Sequence, residues 1–157
     1  MKIRESQTIG VYVEGLSKKA VVSYSEIEKV MATGDKHRSI ASTLMNKSSS
    51  RAHTIIKIEL IQKKQDGDRN LTKLSNINLV DLAGSEKVGK TGATGDRLKE
   101  ASSINKSLSN LGIVISDLAD KAAGKGKGKI VPYRDSSLTR ILQNALGGNS
   151  KTIMICA

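Results

Sequence analysis

Apolar and polar positions alternate most clearly over "HTIIKIELIQKK", residues 53–64. Ile56, Ile58 and Leu60 fall on one face there, and Ile55, Lys57, Glu59 and Ile61 on the other, which is the period of a β-strand. "QDGDRN" (65–70) is a turn cluster, and "LTKLSNINLVDLA" (71–83) is a second strand, so the two are predicted to pair antiparallel. Upstream, residues 1–5 read as a short strand and 10–23 as an extended, turn-rich stretch. A helix is expected from about Ser25, where a Ser with Glu28 three residues on gives a capping-box pattern. Ile27, Val30 and Met31 make its apolar face, and Gly34 marks an end or a break. Downstream, Ile104, Leu108, Leu111, Ile115 and Leu118 recur at three- and four-residue steps and predict an amphipathic helix over about 97–121. "KAAGKGKGK" (121–129) is a flexible basic loop. "VPYRDSSLTRILQNAL" (131–146) turns into a short helix that Gly147-Gly148 ends, and "KTIMICA" is a last strand.

Charge changes this picture more than composition does. The 157 residues carry 26 Lys and Arg against 15 Asp and Glu, a formal net charge of +11, which favours an acidic partner. Phe and Trp are absent, so the core must rest on Ile, Leu, Val and Ala; the deficit also fits a chain that is part of a domain. A single cysteine, Cys156, excludes an intrachain disulfide and fits a reducing compartment, with Cys156 an inert buried thiol. No apolar run is long enough for a membrane span, and "MKIRESQTIG" lacks a signal-peptide core. The lysines of 121–129 have no aromatic residues among them, which argues against a single-stranded nucleic-acid site and leaves a general basic nucleic-acid binder resting on charge alone.

The candidate chemistry lies in "NINLVDLAGSEKVGKTGATGDR" (76–97). Gly84 to Thr91 match G-x-x-x-x-G-K-[ST], the phosphate-cradling P-loop. Three features argue against a cradle. Gly92-Ala-Thr-Gly95 is poor helix material where a helix should begin. Glu86 would repel phosphate from inside the loop. Asp81 closes the preceding strand, the place of a Mg²⁺-side acid. Asp81-Leu-Ala-Gly84-Ser-Glu86 reads better as a phosphate sensor: an Asp for Mg²⁺ through water, a glycine amide for the terminal phosphate, and a Glu free to pair with a cation. "MNKSSSRAHTII" (45–56) offers the other half, with Asn46, Ser49, Ser50, Arg51 and His53. His53 is expected to pack or hydrogen-bond, since no second metal ligand sits at suitable spacing.

Taken together, the motifs resemble the kinesin motor domain over essentially the whole chain. "NKSSSRAH" is similar to switch I, "DLAGSE" is identical to the switch II core, "GDRLKEASSINKSLSNLG" resembles the relay helix, and "VPYRDSSLTRILQNALGGNSKT" resembles the microtubule-facing loop and helix. The opening lines, and the lysine-bearing loop before "VPYRDS", look like the kinesin-3 branch. The resemblance implies an α/β fold of the P-loop NTPase type, a central twisted mixed sheet flanked by helices, present in part. Within 1–157, taken as the C-terminal half of such a domain, switch I spans 45–53, switch II 81–86, the relay helix about 97–121, the basic loop 121–129 and the microtubule-facing segment 131–146.

The implied roles follow residue by residue. Ser49 and Ser50 contact the γ-phosphate and Mg²⁺, with Asn46 nearby. Asp81 holds Mg²⁺ through water, and the Gly84 amide senses the γ-phosphate. Arg51 and Glu86 form the salt bridge that closes the switches, and Asn105 lies on the nucleotide side of the relay helix. Lys87, Lys90, Arg97, Lys121, Lys125, Lys127, Lys129, Arg134 and Arg140 face the microtubule and its acidic tubulin tails. The cofactors implied are ATP and Mg²⁺, and the setting is the cytoplasm and its microtubule cytoskeleton. Cargo or a dimer partner would be engaged elsewhere, with no nucleic acid and no direct membrane contact. Ala52 departs from the family's Ser, Gly89 likewise stands for Ser and creates the P-loop look-alike, and residues 1–44 hold no phosphate cradle. The alternative is a non-catalytic microtubule-binding half-domain without ATPase activity of its own.

Overall fold

The computed structural model describes residues 2–45, 52–67, 69–84, 96–126 and 128–156. They fall into two compact units, Met1–Ser49 with Ser85–Ala157, and Ser50–Gly84.

The smaller unit is the predicted hairpin. Strands β3 (Thr54–Asp66) and β4 (Arg69–Asp81) pair antiparallel in one unbroken register, from Thr54 opposite Asp81 to Asp66 opposite Arg69. Gly67 takes the positive φ, 59°, that so short a reversal needs. The register sets Ile56 against Leu79 and Ile58 against Ile77, so these apolar side chains share a face, while Lys57 and Glu59 meet Asn78 and Asn76 on the other. Ile77 and Leu79 remain about half exposed, at 46% and 50%.

In the larger unit, β1 (Ile3–Ser6) and β2 (Gly10–Val13) form a second antiparallel pair, with Ile3 opposite Val13. Helix α1 (Tyr24–Met45) is capped two residues earlier than the pattern predicted at Ser25 and Glu28. Ser23 Oγ accepts the Glu26 amide at 3.3 Å, and the Glu26 carboxylate accepts the Val22 amide at 2.8 Å. The operative pair is Ser23-x-x-Glu26, a capping-box variant in which Ser23 satisfies one orphan donor of the first turn and Glu26 reaches back past the cap to the Val22 amide. Gly34 does not end the helix. An interior glycine costs only about 1 kcal/mol relative to alanine, which the remaining turns outweigh.

Helix α2 (Asp96–Ala122) matches the helix predicted over about 97–121. Its buried line runs through Leu111, Val114 and Asp117, with Ile104, Leu108 and Leu118 beside it; Ile115, expected inside, is 36% exposed. The stripe therefore advances by threes at its C-terminal half and brings Val114 inward in place of Ile115. A Schellman motif closes the helix: Gly124 at φ 74° donates to the Lys121 carbonyl, and the Lys125 amide donates to the Asp120 carbonyl.

Beyond a 3-10 turn (Tyr133–Asp135) come α3 (Ser137–Ile141) and α4 (Gln143–Gly147). Leu138 and Leu142 are buried, as are Leu111 and Val114 on α2, which packs against α3. Each such side chain contributes about 1.5–3 kcal/mol of transfer free energy. Thr139, fully buried, caps this arrangement: its amide donates to Ser136 Oγ at 3.1 Å, and its hydroxyl donates to the Tyr133 carbonyl at 2.8 Å. Residues 151–156, expected as a last strand, are not in a strand, and Ile153 and Ile155 are about nine-tenths exposed. Without a neighbouring edge to take its amides and carbonyls, an apolar run does not become a strand. Cys156, expected buried, is exposed with it.

Gly147 tests this packing. A Cβ there would fall on the Tyr133 hydroxyl and 3.3 Å from Leu118 Cδ2. Gly147→Ala is expected to destabilise the protein by about 1–3 kcal/mol, as overpacking does, read from the midpoint of chemical denaturation. An unchanged midpoint would mean that Tyr133 moves aside freely.

Candidate functional site

The two chemistry-bearing segments leave the hairpin at the same end. Because Thr54 stands opposite Asp81, the chain entering β3 and the chain leaving β4 run side by side. A side chain joins them: His53 Nδ1 accepts the Ala83 amide at 3.0 Å. An imidazole nitrogen can accept only when it is unprotonated, which places the His53 proton on Nε2. Partial burial acts the same way, pushing the His53 pKa below its ordinary 6.5 because the charged form is less well solvated. His53 is thus the hydrogen-bonding residue the sequence suggested. Ala83 is buried, whereas Asp81 and Gly84 on either side of it are exposed.

Asp81 and Gly84 are therefore both exposed, three positions apart, at the mouth of the hairpin. An exposed carboxylate beside a residue with no side chain is a donor set suited to a hard cation and a close phosphate. Mg²⁺ held by phosphates needs only one or two protein oxygens. Among the described residues there is no group of three or more His, Cys, Asp or Glu that could hold a metal by itself. Asn46, Ser49, Ser50, Arg51, Glu86, Lys87, Lys90 and Lys127 lie outside the described residues, as does the side chain of Arg97 in the first turn of α2. Asn105 is half-buried in α2, in the unit that does not contain the hairpin.

The expected basic face divides into free and engaged cations. Lys121 and Lys125 are exposed at the end of α2. Lys129 is not a free cation: its Nζ donates to Asp117 Oδ1 at 2.5 Å, which folds the basic loop back onto α2. That hydrogen bond, then the charge of the same carboxylate, raises the Lys129 pKa above 10.5. The Lys129 amide also closes a turn onto the Gly126 carbonyl. The loop read as flexible is accordingly pinned at its start by the Schellman motif and at its end by Lys129. Arg134 and Arg140 both point at Glu5 of β1, with Nη2 to Oε2 separations of 2.9 and 3.9 Å. Arg134 remains 75% exposed, while Arg140 at 30% is less available than expected.

Two of these carboxylates escaped the sequence reading. Asp117 had a legible signal, a lone acid three residues after Val114 on the apolar stripe. Glu5 had none, since it meets Arg134 across 129 positions of chain.

Comparison with known proteins gives one answer. The family model described as the kinesin motor domain matches residues 1–157. Kinesin-like protein KIF13A of Mus musculus is 55% identical over 157 residues, covering 99% of this chain and 9% of that protein. Kinesin-like protein KIF1A of Rattus norvegicus is 50% identical over 165 residues, covering 100% of this chain and 10% of that protein. Among solved structures, the KIF14 dimer in its two-heads-bound state with AMP-PNP, in complex with a microtubule, superimposes with a TM-score of 0.81 at 47% identity. That superposition covers 96% of this chain and 42% of the KIF14 chain. A fast kinesin gives a TM-score of 0.78 at 52% identity, covering 95% and 40%. The chain thus spans 9% to 10% of the length of these curated relatives and about two-fifths of the solved chains.

Two outcomes follow from the geometry. His53 is expected to titrate below 6.5 by NMR, with the Ala83 amide shift following the same midpoint. Its folded-state pKa is depressed, so the stabilisation is present above 6.5 and is lost as pH falls through the folded value. A midpoint at or above 6.5 would contradict the contact. Asp117→Asn is expected to speed tryptic cleavage after Lys129 several-fold, because the charge that restrains Lys129 is gone; an unchanged rate would show that the turn alone holds the loop.

Proposed function

The chain belongs to the kinesin motor domain family, and from that premise we propose that it carries the phosphate-sensing and microtubule-facing part of a microtubule-stimulated ATPase motor. The observation that supports this most directly is the Thr54–Asp81 register with the His53–Ala83 hydrogen bond. Together they hold the exit of one switch against the entrance of the other. Loops anchored to one strand end can respond jointly to a single phosphate group.

In this reading ATP with Mg²⁺ is the cofactor-substrate, and hydrolysis of its terminal phosphate supplies the chemistry. Asp81 and Ser50 hold the cation, Asp81 through water. Ser49 and the Gly84 amide face the γ-phosphate, with Asn46 and Asn105 on the nucleotide side. Arg51 pairs with Glu86, closes the two loops and orients the attacking water. Gly84–Thr91 is a switch and not the phosphate cradle, which other residues of the intact motor supply. ATP turnover accordingly belongs to that motor, and this part alone is inactive.

The partner is the microtubule. Exposed Lys121, Lys125 and Arg134 support it, joined by Lys87, Lys90, Arg97 and Lys127; Lys129 contributes less because Asp117 already engages it, and Arg140 because only 30% of its side chain is exposed. Attraction between flexible cations and acidic tubulin tails is long-ranged and screened by salt. The setting is the cytoplasmic microtubule cytoskeleton. Among the described residues no helix is long and apolar enough to cross a membrane.

In the intact motor, Glu86→Ala is expected to lower microtubule-stimulated ATP turnover by about 100-fold or more while ATP still binds, the scale on which lost transition-state positioning is felt. Lys90→Ala is expected to leave ATP affinity unchanged. Unaltered turnover in the first variant would remove the salt-bridge role, and abolished ATP binding in the second would make 84–91 a cradle after all.

A further inference from the structure

We propose that Glu5 is an exchangeable internal counter-ion, holding Arg134 at rest and passing to Arg140 when a carboxylate of an acidic peptide segment takes Arg134. The proposal rests on the microtubule reading only for the source of that acidic segment. One oxygen, Glu5 Oε2, serves both arginines: it lies 2.9 Å from Arg134 Nη2 and 3.9 Å from Arg140 Nη2. The first is a hydrogen bond, the second a looser ion pair. Arg140 Nε is meanwhile buried with no hydrogen-bond partner. A guanidinium is best satisfied when a carboxylate spans its fork. In its resting place Glu5 satisfies the exposed arginine and leaves the more buried one short.

The two resting places differ in what each leaves unpaired. An exposed ion pair such as Glu5–Arg134 contributes little, because water solvates both ions well and salt screens them. A buried donor without an acceptor is costly, because it has lost water and gained nothing. A carboxylate arriving at Arg134 removes the reason for Glu5 to stay there and frees it for Arg140.

The surroundings suit such a ligand. Arg134 and Arg140 line an open groove of about 340 Å³ with Lys2, Arg4, Ser136 and Ser137. Apart from Ile3, its lining residues carry cations and hydroxyls, and no carboxylate or aromatic ring is among them. That composition fits an Asp- or Glu-rich segment and gives bases nothing to stack on. Arg4 is already engaged, its Nε donating to Glu14 at 3.2 Å, so Arg134 is the arginine best placed to be released.

The test is a double-mutant cycle on the full chain, with microtubules by co-sedimentation and a polyglutamate peptide by fluorescence anisotropy. Glu5→Gln removes the competing charge and is expected to tighten binding to both probes about 3- to 10-fold at low salt. The slope of log affinity against log salt is expected to steepen by about one ion. Arg134→Gln is expected to weaken binding, and adding Glu5→Gln to it is expected to change nothing further. In the unsubstituted protein, the Arg140 Nε–H resonance is expected to shift as polyglutamate binds, which reads the exchange without any variant. Unchanged or weaker binding by a folded Glu5→Gln protein, or an Arg140 resonance that stays put under bound peptide, overturns the proposal. If microtubules do not bind but polyglutamate shows the Glu5 effect, the microtubule reading fails and the exchange stands. Microtubule binding without a Glu5 effect on either probe gives the reverse.

Discussion

The antiparallel ladder between β3 and β4 is the constraint on which the site depends. Its side-chain period is two, so a slip of one residue would turn every apolar position to the opposite face. It would also separate Thr54 from Asp81, and with them the exits that His53 and Ala83 tie together. The ladder is thus both a structural element and the ruler that sets where the chain enters β3 and where it leaves β4. The contact that finishes this end is a neutral histidine, whose acceptor nitrogen does the joining.

Elsewhere the chain relies on a small number of polar pairings because its apolar core is thin. Leu111, Val114, Leu138 and Leu142 supply most of the burial among the described residues, and no aromatic side chain joins them. Thr139 replaces bulk with hydrogen bonds, Asp117 anchors a loop, and Glu5 ties β1 to the segments that follow α2. These charges have unequal standing. Asp117 is 6% exposed and leaves Oδ2 without a partner, whereas the arginine pairs lie nearer water. Charge at this surface is therefore organised, with some cations held and others presented. For binding to an acidic partner, the number of presented cations matters more than the number encoded.

Reading the hairpin from sequence succeeded because its information is local. Alternation, a turn cluster and a second alternating run occupy adjacent stretches, and the pairing they specify needs no distant contact. The same holds for α2, whose stripe is long enough to name a helix, and for His53, whose spacing from any second ligand left hydrogen bonding as its role. Boundaries fared less well. The helix start moved to Ser23 because two Ser–Glu pairs compete there, and only the backbone path decides which pair can close the box. The last strand failed because strand formation depends on a neighbour, which no pattern within 151–157 can supply.

The sequence by itself determined the family through four ordered motifs, the antiparallel pairing of the two strands, the helix over about 97–121 and the sign of the net charge, all of which follow from side-chain periods and short-range chemistry. Only the tertiary structure decided which cations are free. Lys129 and Asp117 meet because the chain turns back after Gly124, and Glu5 meets Arg134 and Arg140 because the β1–β2 pair lies against α3. The Glu5 pairings join residues far apart in the chain, and the Lys129 pairing depends on how the intervening turn folds; a charge acts on whatever lies within a few ångströms in space, so position along the sequence did not settle either.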